Sequence, residues 1–250
     1  MKNEIRRPTV DEWFLALQLK SIKKGFHLPV YLDADITRTV EKLNSTEKVP
    51  YTAILIKAAS HLIHQMPDVN KATVHSVFGV KIIEPSYNGV NLPLELMIDG
   101  KKVLTGITIR DAYKKSLSEI NAEIKLAKIK TMNDLPVNCI VHGPGLDWVK
   151  KIKLRLIHLM MNNFPRLYLK KGGGGISVSS LMNLAHAGAN VHMNAFGMTT
   201  ITVSSCSVEK LEGREILKVG LAFDHLVVHG AQGVRASVEL VKILQNPELF

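Results

Sequence analysis

Cysteine is nearly absent from this 250-residue chain. Two thiols, Cys139 and Cys206, supply neither a disulfide framework nor the ligand set of a structural metal site. No apolar run approaches the roughly 18 residues that a membrane helix needs. The opening residues, Met1-Lys2-Asn3-Glu4-Ile5-Arg6-Arg7-Pro8, hold no apolar segment of the secretory kind. A reduced, cytoplasmic protein with no membrane partner is the expectation. No fixed-period repeat, low-complexity tract or splitting linker is visible. No Gly-x-Gly-x-x-Gly follows the first strand candidate, and no phosphate loop of the Walker type occurs. The one glycine run, Gly172-Gly173-Gly174-Gly175, precedes a strand rather than a helix and reads as a flexible turn. Aromatics make up only 6% of the residues. They are not interleaved with basic residues as a base-stacking platform would be, so nucleic acid is not an expected partner.

What is present is an ordinary globular composition, 46% hydrophobic and 22% charged. The length suffices for a sizeable core, and one domain spanning 1–250 is expected. The net charge of +10 is spread over pairs such as Lys23-Lys24, Lys114-Lys115 and Lys150-Lys151. Most of these are solvated faces; attraction of an anionic substrate is the functional reading.

The periodicities predict helices over 8–25, 37–44, 51–66, 116–130, 145–164 and 231–245. Thr9 with Glu12, and Ser116 with Glu119, stand at capping-box spacing. Strands are predicted over 29–36, 74–83, 91–98, 102–109, 176–181, 199–208 and 216–223. Asp99-Gly100 marks a hairpin between the fourth and the third of these. Strands that cluster and pair, with helices between the groups, indicate an α+β fold with a mixed β-sheet flanked by helices.

One segment carries chemistry: Val219-Gly220-Leu221-Ala222-Phe223-Asp224-His225-Leu226-Val227-Val228-His229-Gly230-Ala231. An apolar strand delivers a histidine to its end, and a Gly-Ala step opens a helix. A neutral imidazole on rigid structure suits a general base; the bland reading is a core histidine bonded to a backbone carbonyl. His225 and His229, four apart, invite a zinc reading. They span a strand-to-helix turn, and only the distant His186 and His192 offer a third ligand, so no metal is expected. Asp224 reads as a cap of the turn. Cys206, in Ser204-Ser205-Cys206-Ser207, reads as packing.

The segment resembles the Asp-His-Arg-x-x-Asp-Gly signature of the dihydrolipoamide acyltransferase catalytic domain, a relative of chloramphenicol acetyltransferase. Leu226 stands in place of the signature's arginine and His229 in place of its second aspartate. Further segments carry the resemblance in order over most of the chain. They are Lys57-Ala58-Ala59 with Met66-Pro67-Asp68-Val69-Asn70, the hairpin from Gly89 to Ala112, Lys115-Ser116-Leu117-Ser118-Glu119-Ile120, Ile176-Ser177-Val178-Ser179-Ser180-Leu181, and Leu244-Gln245-Asn246-Pro247-Glu248-Leu249. The family's Pro-Pro segment is replaced by Asn194-Ala195-Phe196-Gly197-Met198.

The resemblance implies a chloramphenicol acetyltransferase-like fold. It also implies a homotrimer, or a multiple of trimers, with active sites between subunits. Coenzyme A or acyl-CoA is the implied co-substrate, and the acceptor a small-molecule or carrier-bound thiol or hydroxyl. Carried over by position, His225 is the base, Ser179 of a neighbouring subunit is the oxyanion donor, and His229 modulates. No lipoyl or subunit-binding domain and no covalently bound lipoyl group is expected, which favours a stand-alone enzyme. The alternative is a catalytically altered or silent trimeric scaffold.

Overall fold

The computed structural model of the chain describes residues 8–22, 26–43, 49–76, 79–98, 100–164, 173–182 and 199–250. Helix α1 (Val10–Ile22) opens on the predicted capping box. Thr9 N donates to Glu12 Oε2 at 2.9 Å, and Glu12 N donates to Thr9 Oγ1 at 3.3 Å. Strand β1 (His27–Asp35), α2 (Thr37–Lys42) and α3 (Tyr51–Gln65) follow. Helix α3 buries Ile54, Leu55, Ala58, Leu62 and others along one broad face, as the four-residue spacing predicts.

The predicted strand over 74–83 is instead two strands, β2 (Ala72–Ser76) and β3 (Gly79–Ile83), paired antiparallel as a separate hairpin. The physical reason is Gly79, whose φ of +107° lets the chain reverse where a side chain would be strained. The hairpin expected at Asp99-Gly100 joins β4 (Gly89–Ile98) to β5 (Lys101–Arg110) in ten-residue register, with Gly100 at φ +72°. Helix α4 (Leu117–Lys128) begins on the Ser116–Glu119 capping box. A short helix α5 (Pro136–His142), which periodicity did not predict, precedes α6 (Asp147–Asn163). Strands β6 (Ile176–Ser180), β7 (Ile201–Leu211) and β8 (Arg214–Asp224) then lead to α7 (Gly230–Gln245). Glu212 and Gly213, both at positive φ, make the tight β7–β8 turn.

Six strands form one mixed sheet in the order β1-β8-β7-β6-β4-β5. The β4–β6 and β6–β7 pairs are parallel and the rest antiparallel. Ile176, Val178, Ile201, Val203, Leu221 and Phe223 point to one face, where α3 and α7 seal the main core. The opposite face carries small and polar residues: Ser177, Ser179, Thr202, Ser204, Gly220 and Ala222. A satellite core of Val10, Val141 and Leu154 joins α1, α5 and α6.

The glycine run is no flexible turn where it is described. Gly173, Gly174 and Gly175 are buried, and a Cβ on Gly174 would run into the Gly89 carbonyl. Glycine is required there because two backbones touch.

Candidate active site

Strand β8 ends at Asp224, and the next five residues turn the chain into α7. The turn is tied down throughout. Asp224 N donates to the Thr200 carbonyl at 2.8 Å, His225 N to the Phe26 carbonyl at 2.7 Å, and Val227 N and Val228 N both to the Asp224 carbonyl. The Asp224 side chain is buried and accepts twice, from Leu226 N at 3.1 Å and from Thr73 Oγ1 at 3.0 Å. It is the cap that the sequence suggested. It also clamps the β2–β3 hairpin to the turn, which no local signal announces.

His225 is half-buried, with Nδ1 3.1 Å from the Val228 carbonyl oxygen. A carbonyl only accepts, so Nδ1 carries the proton of the neutral ring and Nε2 presents its lone pair. The Phe26 ring lies against it, 6.2 Å between centroids at 29°. The bland expectation and the functional one therefore coincide: one nitrogen is satisfied by backbone, and this frees the other as a base.

His229 is exposed and occupies the cap position of α7, where its side chain caps nothing. Its ring centroid lies 6.2 Å from that of His225, at 66°. The zinc alternative gains no third ligand: no group of three or more His, Cys, Asp or Glu that could hold a metal occurs among the described residues. His186, His192 and the 194–198 segment lie outside those residues, as does the side chain of Cys206.

Ser179 is buried at 2% exposure on the small-residue face of β6. The fold distinguishes it from its neighbours. Ser177 Oγ shares a hydrogen bond with Thr199 Oγ1, and Ser180 Oγ, on the core side, accepts from Thr52. No partner for Ser179 Oγ is found among the described residues. Register separates Ser179 from His225 within the chain. Ser179 pairs with Ser204 and Ser204 with Gly220, so even Asp224 lies four residues further along, about 13 Å at strand rise. His225 and His229 are brought together; Ser179 is not brought to them.

Similarity to known proteins follows the same lines. No family model matches the chain. It is 23% identical over 234 residues to the dihydrolipoyllysine-residue acetyltransferase component of the pyruvate dehydrogenase complex from Pseudomonas aeruginosa, a match covering 88% of this chain and 36% of that protein. The chain thus spans about a third of that relative's length.

Solved structures align over nearly the whole chain. The cubic core of the pyruvate dehydrogenase multienzyme complex gives a TM-score of 0.62 at 18% identity, covering 98% of this chain and 92% of that one. A probable dihydrolipoamide acetyltransferase from Listeria monocytogenes gives 0.63 at 16% identity, covering 97% and 94%. The dihydrolipoamide acetyltransferase of Azotobacter vinelandii, studied for the role of a serine, a histidine and an asparagine in its catalytic mechanism, gives 0.61 at 18% identity, covering 98% and 92%. The fold is that of the dihydrolipoamide acetyltransferase core. The expected α+β, chloramphenicol acetyltransferase-like architecture is therefore the observed one.

Proposed function

We propose that this chain is a coenzyme A-dependent acyltransferase that moves an acyl group between a coenzyme A thioester and a thiol or hydroxyl acceptor. The observation that carries this reading is the locked tautomer of His225. Its Nδ1 proton is held by the Val228 carbonyl and its Nε2 lone pair is free, at the position where the resembling signature has its catalytic histidine. Nε2 takes the acceptor's proton as sulfur or oxygen attacks the thioester carbonyl. A hydroxyl donor then meets the oxyanion of the tetrahedral intermediate, a contribution of about 3 kcal/mol in comparable sites. Ser179 is assigned that role, since its hydroxyl is the uncommitted one of its strand. Because it sits too far from His225 in the same protomer, we assign it to the site of a neighbouring copy, in a trimer or a multiple of trimers. The net charge of +10 favours an anionic co-substrate such as coenzyme A. Cys139 is a free thiol whose Sγ donates to the Met132 carbonyl, and a reducing compartment such as the cytoplasm is the proposed setting.

His229 supports a second reading. An imidazole supplies no fixed negative charge where the signature has a carboxylate, so a trimer with altered or lost transfer is the alternative.

One experiment separates these readings. Ser179→Ala and His225→Ala are each expected to lower transfer from acetyl-CoA to dihydrolipoamide by at least about 100-fold. Co-refolding the two inactive variants mixes protomers, and a competent site forms wherever an intact His225 meets an intact Ser179. Recovery approaching about a quarter of wild-type activity is the expected result for random mixing. No recovery removes the shared site, and no wild-type transfer leaves the scaffold reading.

A further inference from the structure

We propose that His225 and His229 form an acid–base pair, in which one ring takes the proton of the attacking nucleophile and the other protonates the leaving thiolate. This rests on the acyltransferase reading above. Two observations carry it. The first is the immobility of His225. Its Nδ1 is bound to the Val228 carbonyl, its backbone N to the Phe26 carbonyl, and its ring lies against Phe26. Nε2 is the ring nitrogen left for proton transfer, and it acts from one fixed position. In thioester exchange the attacking and departing sulfurs are different atoms on one carbon, and a fixed nitrogen well placed for the first is less well placed for the second.

The second observation is a second imidazole at bridging distance. The ring centroids stand 6.2 Å apart, and the planes meet edge to face at 66° rather than stacked. One sulfur or one water making hydrogen bonds of about 3 Å to each ring spans that gap. The His229 ring is exposed and spends no hydrogen bond on capping α7. Residue type matters here. A carboxylate at this position is charged near neutral pH and has no proton to give, and an amide neither gives nor takes one. An imidazole does both.

The acceptor S–H proton passes to His225 Nε2 as its sulfur bonds to the carbonyl carbon and the carbonyl π pair moves to oxygen. The intermediate collapses, the bond from carbon to the departing sulfur breaks, and that sulfur's electron pair takes the proton of the His229 imidazolium. A proton then passes from His225 to His229 through water, restoring both rings. The titratable or charged side chains at the near ends of the surrounding elements are Asp224 on β8, His27 opposite it on β1, Asp68 and Lys71 ahead of β2, His75 on β2, and Arg235 on α7; Asp33 and Asp35 stand further along β1, and Glu239 and Lys242 further along α7. Asp224 is spent on Leu226 N and Thr73, and Asp68 accepts from Gln232. Neither supplies the leaving-group proton.

The test is His229→Asn, assayed with two acetyl donors and dihydrolipoamide as acceptor. Acetyl-CoA has an alkyl leaving thiolate that needs a proton; the acetyl thioester of 4-nitrothiophenol has one that departs without it. The variant should lose about 100-fold with acetyl-CoA and stay within about threefold of wild type with the aryl thioester. With acetyl-CoA the wild-type profile should fall at low pH, where the base is protonated, and at high pH, where the acid is deprotonated. The variant should keep only the low-pH limb. Equal loss with both donors, no loss with acetyl-CoA, or two limbs surviving in the variant each overturn the pairing. If the wild type transfers no acyl group from either donor, the acyltransferase reading has failed. NMR titration of the His225 ring then decides the pair by itself: a midpoint moved by more than about 0.3 pH unit in His229→Asn supports coupling, and an unmoved midpoint overturns it.

Discussion

A single carboxylate decides whether the candidate base has a fixed address. Asp224 accepts from Thr73 Oγ1, 151 residues earlier in the chain, and from Leu226 N in its own turn. Replacing it with alanine leaves the buried Thr73 hydroxyl and the part-buried Leu226 N–H unpaired, at about 1–3 kcal/mol each. Asp224→Ala should therefore lower the urea-derived unfolding free energy by about 2–5 kcal/mol, whereas Asp224→Asn, which keeps one acceptor, should lose less than half of that. An equal loss in both would show that the side chain only fills space. At this scale the sequence was informative about His225 and Asp224, because strand, histidine and helix start are contiguous. It was silent on Thr73, Phe26 and the Val228 carbonyl, because a hydrogen bond between distant segments leaves no periodicity. Among Ser177, Ser179 and Ser180 the residue types are identical; only the partners taken by Ser177 and Ser180 single out Ser179.

At the scale of elements, the relation between β8 and α7 sets where His229 stands relative to His225. Gly233, one turn into α7, lies against the Phe223 ring so closely that a Cβ would strike it. Gly233→Ala should cost about 1–3 kcal/mol and displace the start of the helix. Thermal unfolding should report the first effect, and a reduced rate of transfer from acetyl-CoA the second. An unchanged melting temperature would mean that Phe223 yields freely. The α1–α5–α6 cluster hangs on fewer contacts. Leu154 is its only fully buried side chain among the described residues, and Leu154→Ala should cost about 2–5 kcal/mol by denaturant titration if that cluster unfolds with the main core. A smaller effect on the global transition, with early proteolysis of α6, would show that the cluster opens independently. The strand predicted over 74–83 fell into two because side-chain alternation does not register a reversal that only Gly79's backbone permits. The β7–β8 turn was likewise hidden, since Glu212 at φ +49° is an unusual residue for a left-handed position.

For the molecule as a whole, acidification should be destabilising through half-buried histidines. Burial, and then the nearby Lys57 and His64, hold the His61 imidazole below its usual range. Burial alone does the same to His158. His61 Nε2 is also the one buried side-chain polar atom without a partner among the described residues. Below the unfolded value of about 6.5 the unfolded chain binds protons that the folded chain refuses. The stability contributed by the neutral rings is complete above that value and is lost as pH falls from it toward the depressed folded values. Urea midpoints should fall between about pH 8 and about pH 5, and His61→Phe should flatten that slope. A variant slope equal to that of the wild type would remove His61 as the cause.

The sequence by itself determined the fold class, the capped helices, the β4–β5 hairpin and the residue at the end of β8. Each is written in neighbouring residues, through periodicity, turn chemistry or a contiguous motif. The tertiary structure decided the tautomer of His225, the clamp from Thr73, the opposition of His225 and His229, and the separation of Ser179 from both. Those depend on strand register and on contacts between segments far apart in the chain, which are settled only when the whole sheet closes on its helices.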